Sequence, residues 1–141
     1  MICLINKKNV FHLCLTGFLL LFLAGYALAD DYIRKNGSIV ASRANPYIRI
    51  NGGISGEFDG KYVRQSGSIV GEIDEKYIRM NGSIIGEIDG KYLRSNGSIL
   101  YEIESNGYVR KNGSIYMEFE GYDGSLFMKQ VIAAYLFFFD Y

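Results

Sequence analysis

The chain has 141 residues, its 15 Lys and Arg balance 15 Asp and Glu, and it has no Trp. Its single histidine, His12, and its two cysteines, Cys3 and Cys14, all lie within the first 29 residues. Residues 30–141 therefore exclude disulfides, thiolate chemistry, Cys/His zinc sites and a Ser–His–Asp triad. Their lack of a basic excess argues against a nucleic-acid partner, because neutralising phosphates requires one.

Residues 1–29 have the three-part pattern of a secretory signal peptide. Lys7 and Lys8 supply the positive start, an apolar stretch follows from 10 to 24, and Ala27 and Ala29 are the small residues before a cleavage site. The alternative is an uncleaved membrane anchor, but the apolar stretch is shorter than the roughly 20 residues that a spanning helix needs. We expect cleavage and export, which leave 13 basic against 15 acidic side chains once Lys7 and Lys8 are removed.

From residue 32 to residue 121 the chain repeats a unit of 15 residues, with one residue inserted near Ser105. Each copy contains Asn-Gly, or Ser66-Gly67 in one case, which is a strong signal for a two-residue hairpin turn. Apolar and polar residues alternate on both sides of the turn, as in strands. The sequence therefore predicts an all-β domain of tandem short hairpins over residues 30–124. The tyrosines that mark the six copies are Tyr32, Tyr47, Tyr62, Tyr77, Tyr92 and Tyr108.

Counting outward from the turn of the fourth copy predicts the cross-strand pairs. It places Arg79 opposite Ile84, Tyr77 opposite Gly86 and Lys76 opposite Glu87. A tyrosine ring opposite glycine would shield the backbone, and Lys opposite Glu would form an ion pair, equivalent to Lys61/Glu72 and Lys91/Glu102 in other copies. One isoleucine recurs after every turn and is expected to form the core. These isoleucines are Ile39, Ile54, Ile69, Ile84, Ile99 and Ile115.

The odd period of 15 constrains how one hairpin joins the next. Side chains alternate between the two faces of a strand, so a simple meander with two tight turns per copy would put equivalent residues on opposite faces. Either one bulge occurs in each copy, or each hairpin is a separate petal that turns at the Asp-Gly connection. We favour petals arranged radially around a central axis.

Residues 125–141 depart from the repeat and are strongly apolar. From Leu126 to Phe139 only Lys129 and Gln130 interrupt the apolar run. The first half suits a helix, and residues 137–139 suit a strand equally well. We predict an element that packs on the hairpins as a plug. The alternative is a segment that contacts a membrane, a glycan or an envelope protein.

The repeat resembles that of the β-flower proteins, a family of small exported bacterial proteins with four-fold and five-fold variants. The resemblance rests on the unit YIRKNGSIVGEI and on the Ala133-Ala134 and Phe-rich end of the chain. It implies a radial arrangement of hairpins. The number of petals, four, five or six, stays open, because Ala41, Tyr101 and Met117 stand where the other copies have glycine. We expect a location in the periplasm or at the surface of a bacterium. The resemblance implies no activity, because the family has no function to transfer.

Two recurring residue types are candidates for ligand binding. Arginine follows two residues after each tyrosine, and guanidinium groups bind carboxylates and phosphates in bidentate fashion. Exposed tyrosine rings stack on sugars. The repeat also contains acidic pairs such as Glu87/Asp89, and repetition places them in similar environments. A hydrolase needs two carboxylates in different environments, so these pairs do not indicate catalysis. The candidate ligand-binding residues are Arg49, Arg64, Arg79, Arg94, Tyr62 and Tyr77, and we predict no catalytic residue, metal site or cofactor.

These observations favour a non-enzymatic structural or interaction module of the bacterial cell envelope. The rival is a module that binds a carbohydrate or an anionic ligand through its Arg and Tyr side chains. A binder should leave several arginines without carboxylate partners and converging on one concavity, whereas a structural module should pair them.

Overall fold

The computed structural model describes residues 30–141, and the predicted signal peptide lies outside them. The described residues form twelve β-strands followed by one α-helix, which confirms the predicted all-β repeat. The elements are β1 (Asp31–Lys35), β2 (Ser38–Ala44), β3 (Tyr47–Ile50), β4 (Gly53–Phe58), β5 (Tyr62–Gln65), β6 (Ser68–Ile73), β7 (Tyr77–Met80), β8 (Ser83–Asp89), β9 (Tyr92–Ser95), β10 (Ser98–Ile103), β11 (Tyr108–Lys111), β12 (Ser114–Phe119) and α1 (Leu126–Phe138).

The strands form one closed antiparallel barrel. Each strand pairs with its neighbours in sequence, and β12 pairs back on β1 through Ile33 opposite Phe119. Six hairpins therefore surround one axis, but they are not separate petals, because neighbouring hairpins are hydrogen-bonded to each other. Closure gives every strand two partners and leaves no open sheet edge in the described part of the chain.

One β-bulge in each hairpin resolves the odd period. In the fourth hairpin Ile78 lies opposite Gly86 and Arg79 opposite Ile84, so Ile85 has no partner. The extra residue restores the alternation, and equivalent residues of successive hairpins face the same side. The bulge alternative is therefore correct. Tyr77 lies opposite Glu87 rather than Gly86, because the bulge shifts the register by one residue.

The barrel has two chemically different ends. The Asn-Gly turns have the expected positive φ angles, 50° at Asn81 and 79° at Gly82, and as alternate connections of a meander they all lie at one end. We call this end the neutral rim, because the residues at its turn tips (36–38, 51–53, 66–68, 81–83, 96–98 and 112–114) are uncharged. The opposite end, the charged rim, carries connections such as Asp59-Gly60-Lys61 and Asp74-Glu75-Lys76.

The inward-facing side chains of the strands form the outer layer of the core. Ile48, Val63 and Ile78 are at most 2% exposed. The prediction that Ile84 and its equivalents form the core is wrong. Ile84 lies directly opposite Arg79 and so shares its outward face, and the six isoleucines are 49 to 57% exposed.

Helix α1 fills the barrel, which confirms the predicted plug. Its middle residues Ile132, Ala133 and Ala134 are completely buried. Ser125 caps the helix, where its hydroxyl oxygen accepts a hydrogen bond of 3.1 Å from the backbone N–H of Met128. The helix continues to Phe138, so the phenylalanine run is not a strand. Within residues 30–141 no helix is long and apolar enough to cross a membrane.

Three phenylalanines at the end of the plug occupy space that three wall glycines leave open. Each glycine faces the interior, and a Cβ atom placed on it would overlap a phenylalanine ring. The pairs are Gly56 with Phe139, Gly71 with Phe138 and Gly86 with Phe137. The other hairpins have Ala41, Tyr101 and Met117 at this position, all buried. These pairs match only when the helix has one particular rotation about the barrel axis.

Candidate functional site

The arginines lie on the outer wall, and most of them are paired with carboxylates. Arg64 contacts Asp59 at 2.5 Å, Arg79 contacts Asp74 at 2.5 Å, and Arg94 contacts Asp89 at 2.8 Å. Arg34 pairs with Glu120, and Arg110 pairs with Glu104. Arg49 has no carboxylate at ion-pair distance among residues 30–141, because the equivalent acidic position is Ala44.

Two of these aspartates, Asp59 and Asp74, also hold the connections at the charged rim. One carboxylate oxygen of Asp74 accepts hydrogen bonds from the backbone N–H groups of Lys76 and Tyr77, at 2.8 and 2.6 Å. The other oxygen accepts from Arg79. Burial raises the pKa of Asp74, but the hydrogen bonds from Arg79 and the two N–H groups outweigh it and lower the pKa to about 2.

We expect Asp74→Asn to reduce stability at neutral pH and to have no effect in strong acid. The folded-state pKa of Asp74 is depressed, so its contribution is present above its ordinary pKa of 3.8 and is lost as the pH falls toward about 2. The pair is more than one third exposed on its Asp side, so solvent screening limits the loss to about 1 kcal/mol. Urea unfolding at a series of pH values measures this difference, and Glu75→Gln in the same connection is the control.

The candidate tyrosines are in contact with cations of their own hairpins. Lys61 and Arg64 lie over the ring of Tyr62, at 5.0 and 5.4 Å from its centroid. Tyr77 has the same two contacts, with Lys76 at 5.1 Å and Arg79 at 5.2 Å. The negative face of the aromatic ring attracts a cation placed over it. The structure therefore brings Tyr and Arg together within a hairpin.

The structure does not bring the candidate residues of different hairpins together. Arg49, Arg64, Arg79 and Arg94 lie on four successive hairpins of the outer wall. Outward-facing side chains on a closed barrel diverge, so they do not converge on one concavity. The predicted ion pairs Lys61–Glu72 and Lys91–Glu102 are confirmed, at 3.7 and 2.5 Å.

Two polar clusters near the plug were not predicted. Arg43, 9% exposed, points into the barrel where the next hairpins have Phe58 and Ile73, and it contacts Asp31 at 2.9 Å. Its Nε has no hydrogen-bond partner within the described residues. The sequence signal was a charged residue at a position that is apolar in the other copies.

The second cluster joins the end of the plug to the wall. Tyr116 donates a hydrogen bond of 2.6 Å to Asp140, and Lys35 donates to both residues. Burial lowers the pKa of Lys35, but the hydrogen bonds to Asp140 and Tyr116 outweigh it and raise the pKa to about 12. No sequence signal identified this cluster, because Asp140 lies outside the repeat.

A wide cleft lies at the charged rim, beside the point where the chain enters the barrel. It has a volume of about 730 Å³ and is lined by residues that include Lys91, Glu102, Glu104, Asp123 and Lys129. Both signs of charge line it, so it selects for neither anions nor cations. Within residues 30–141, no group of three or more His, Cys, Asp or Glu side chains is arranged to hold a metal ion.

Comparison with known proteins adds no functional assignment. No family model matches the chain. Curated proteins and solved structures likewise gave no match. Any function must therefore be inferred from the residues of this chain.

Proposed function

We propose that the protein is an exported, non-enzymatic structural or interaction module of a bacterial cell envelope. The observation that carries this proposal is the filled barrel. Where a closed barrel of this kind would offer a ligand cavity, the buried residues of α1 occupy the interior. The recognition surface that remains is the outer wall and the two rims.

The directions in which the pKa values of the carboxyl groups are shifted support a non-enzymatic role. A general acid needs a carboxyl group whose pKa is raised toward neutrality. Among residues 30–141, the carboxyl groups with a resolved shift are Asp59, Asp74 and Asp123, and the pKa of each is lowered. The cause in each case is hydrogen bonding that outweighs the effect of burial, which is typical of structural ion pairs and turns.

The alternative function, binding of a carbohydrate or an anionic ligand, has less support. Of the six arginines that recur in the repeat, five are already paired with carboxylates, and the rings of Tyr62 and Tyr77 already contact cations. Arg49 alone offers a guanidinium group without a carboxylate partner in the described part of the chain. A single group on a convex wall provides no enclosed site.

Export is proposed from the sequence of residues 1–29 and from the resemblance to β-flower proteins, which stays a prediction. Fractionation of a bacterium that expresses the full tagged chain tests it. We expect the protein in the envelope or periplasmic fraction, with Asp30 as its first residue by N-terminal sequencing. Ala27→Lys, which removes a small residue before the predicted cleavage site, should leave the signal attached. A full-length chain in the cytoplasm would contradict the proposal.

A further inference from the structure

The most exposed apolar feature of the wall is a ring of isoleucines just behind the neutral rim. The isoleucine ring consists of Ile39, Ile54, Ile69, Ile84, Ile99 and Ile115, each about half exposed. Apolar residues that are exposed singly need no explanation, but these six stand at one level and alternate with outward-facing arginines, so they form a band in which apolar side chains and long-stemmed cations recur around the barrel. The ring contains no member of the core and is not needed to fill the barrel.

The ring has the geometry of a contact with a flat surface. Each isoleucine lies two residues after its turn and opposite the arginine of its hairpin. All six therefore stand at one level around the barrel axis. A globular partner would touch only one sector of such a ring, whereas a planar layer entered end-on would touch every member at the same depth.

The distribution of charge selects which end of the barrel enters that layer. The six turn tips at the neutral rim are uncharged, with Lys35 and Lys111 beside two of them and Lys35 paired with Asp140, whereas the charged rim carries Asp, Glu and Lys in most of its connections. Moving a charged group out of water costs much more than moving a neutral polar one. The neutral rim is therefore the end whose transfer into a less polar layer costs less.

The distances of the isoleucines, arginines and tyrosines from the turn tips fit the interfacial region of a bilayer. Two residues of strand place each isoleucine about 7 Å behind its turn tip, within the 5–10 Å depth at which apolar side chains reach the boundary between headgroups and acyl chains. Each tyrosine precedes its arginine by two residues and therefore lies farther from the turn tip than the arginine does. This is the level at which membrane proteins carry aromatic belts. Arginine has a long apolar stem that lets its charged group reach the headgroups.

An apolar cleft opens at the same rim. It has a volume of about 290 Å³, and its lining includes Val70, Met80, Phe137, Phe138 and Tyr141. Met80 is 37% exposed and Tyr141 is almost fully exposed. These side chains extend the apolar surface from the outer wall toward the end of the plug.

We propose that the neutral rim inserts into the surface of a lipid bilayer, with the isoleucine ring at the acyl-chain boundary. The proposal names the partner of the envelope module and in that sense rests on the proposed function. It replaces the expectation that residues 125–141 contact the membrane, since Val131 to Phe139 are largely buried inside the barrel.

Single tryptophan reporters test the insertion directly. The chain has no tryptophan, so Ile84→Trp on the purified chain 30–141 reports only the neutral rim, and Leu126→Trp reports the charged rim, where Leu126 is 41% exposed. With vesicles of phosphatidylethanolamine and phosphatidylglycerol, we expect a blue shift and quenching by brominated lipid for the first reporter only. An equal response of both reporters, or of neither, would overturn the proposal.

Sedimentation with the same vesicles tests the contribution of the ring. The triple variant Ile54→Thr, Ile69→Thr and Ile84→Thr keeps β-branched residues in the strands and should bind vesicles at least about tenfold more weakly. Leu126→Thr should bind like the unmodified chain, and the thermal unfolding of all variants should be similar. Binding should persist at high salt, because apolar contacts are not screened.

The opposite results decide against the proposal. Unchanged binding by the triple variant, or binding that disappears in high salt, would show that the ring is not the contact. A concentration-dependent dimer that the triple variant loses would assign the ring to a second copy of the chain. Because the vesicles are added to purified protein, these outcomes are independent of whether cells export the chain.

Discussion

Gly71→Ala should destabilise the protein by about 2–3 kcal/mol, the usual cost of adding a methyl group where the core is already full. The new Cβ would overlap the ring of Phe138 and would lie 3.0 Å from the backbone oxygen of Arg79. Phe138 is 3% exposed, so its ring is packed inside the barrel beside the wall glycine. Urea unfolding measures the loss. Gly53→Ala is the control, because its Cβ would have only one neighbour, the Ile50 oxygen at 3.8 Å.

A second variant shows whether the plug causes the loss. Phe138→Leu shortens the side chain that the added methyl group would meet, so the double variant should lose at least about 1 kcal/mol less than the sum of the two single losses. Phe139→Leu should recover less of the unfolding free energy that Gly56→Ala loses, because the new Cβ would also lie 2.5 Å from the backbone oxygen of Arg64, which cannot be shortened. Simple additivity at Gly71 would mean that the ring does not occupy the space beside it.

Ile132→Asp should cost more than about 4 kcal/mol and abolish cooperative unfolding at neutral pH. Ile132 lies in the middle of α1 with no solvent exposure, and a carboxylate there would be surrounded by the apolar barrel wall. Ile132→Val, which removes one methylene, should cost about 1 kcal/mol. Near-UV circular dichroism and urea unfolding measure both variants.

The pH dependence of the Ile132→Asp loss separates charge burial from a packing defect. Burial raises the pKa of a carboxyl group in the folded state, so the penalty is largest above that pKa and decreases as the group becomes protonated. The difference in the free energy of unfolding between the variant and the unmodified chain should therefore be smaller at about pH 4 than at about pH 7. A difference that stays constant would identify the cause as shape alone.

The sequence predicted the local structure of the hairpins because their signals are local. Asn81-Gly82 requires positive φ angles at two residues in succession, and the pairing of Met80 with Ser83 follows directly from that turn. The ion pair between Lys91 and Glu102 also followed from proximity within one hairpin. Each of these features depends on a short stretch of chain.

The face of each strand was harder to predict because one bulge reverses it. Ile84 and Ile85 are adjacent and chemically identical, yet Ile84 faces solvent and Ile85 packs against the core. Only the pairing of Ile78 with Gly86 distinguishes them. The role of the wall glycines was hidden for a related reason, since Gly71 and Phe138 are far apart in sequence and meet only when the barrel closes around the plug.

The candidate site was predicted in composition but not in arrangement. The recurring Arg and Tyr do lie side by side, as Arg79 and Tyr77 show. Whether such a set converges or diverges depends on the curvature of the closed wall, which no single copy encodes. The partners of four arginines also lie at the preceding connection rather than across the hairpin turn, as Asp74 does for Arg79.

The match between the plug and the wall limits how this gene can change in length. Duplicating one 15-residue unit would add two strands and widen the bore, while the girth of a single helix stays near about 10–12 Å. The gap would open around Ala133 and Ala134, the smallest residues of the helix, which are now completely enclosed. Relatives with fewer or more copies should therefore carry compensating changes in the size of their helix residues, and copy number and helix composition should have evolved together.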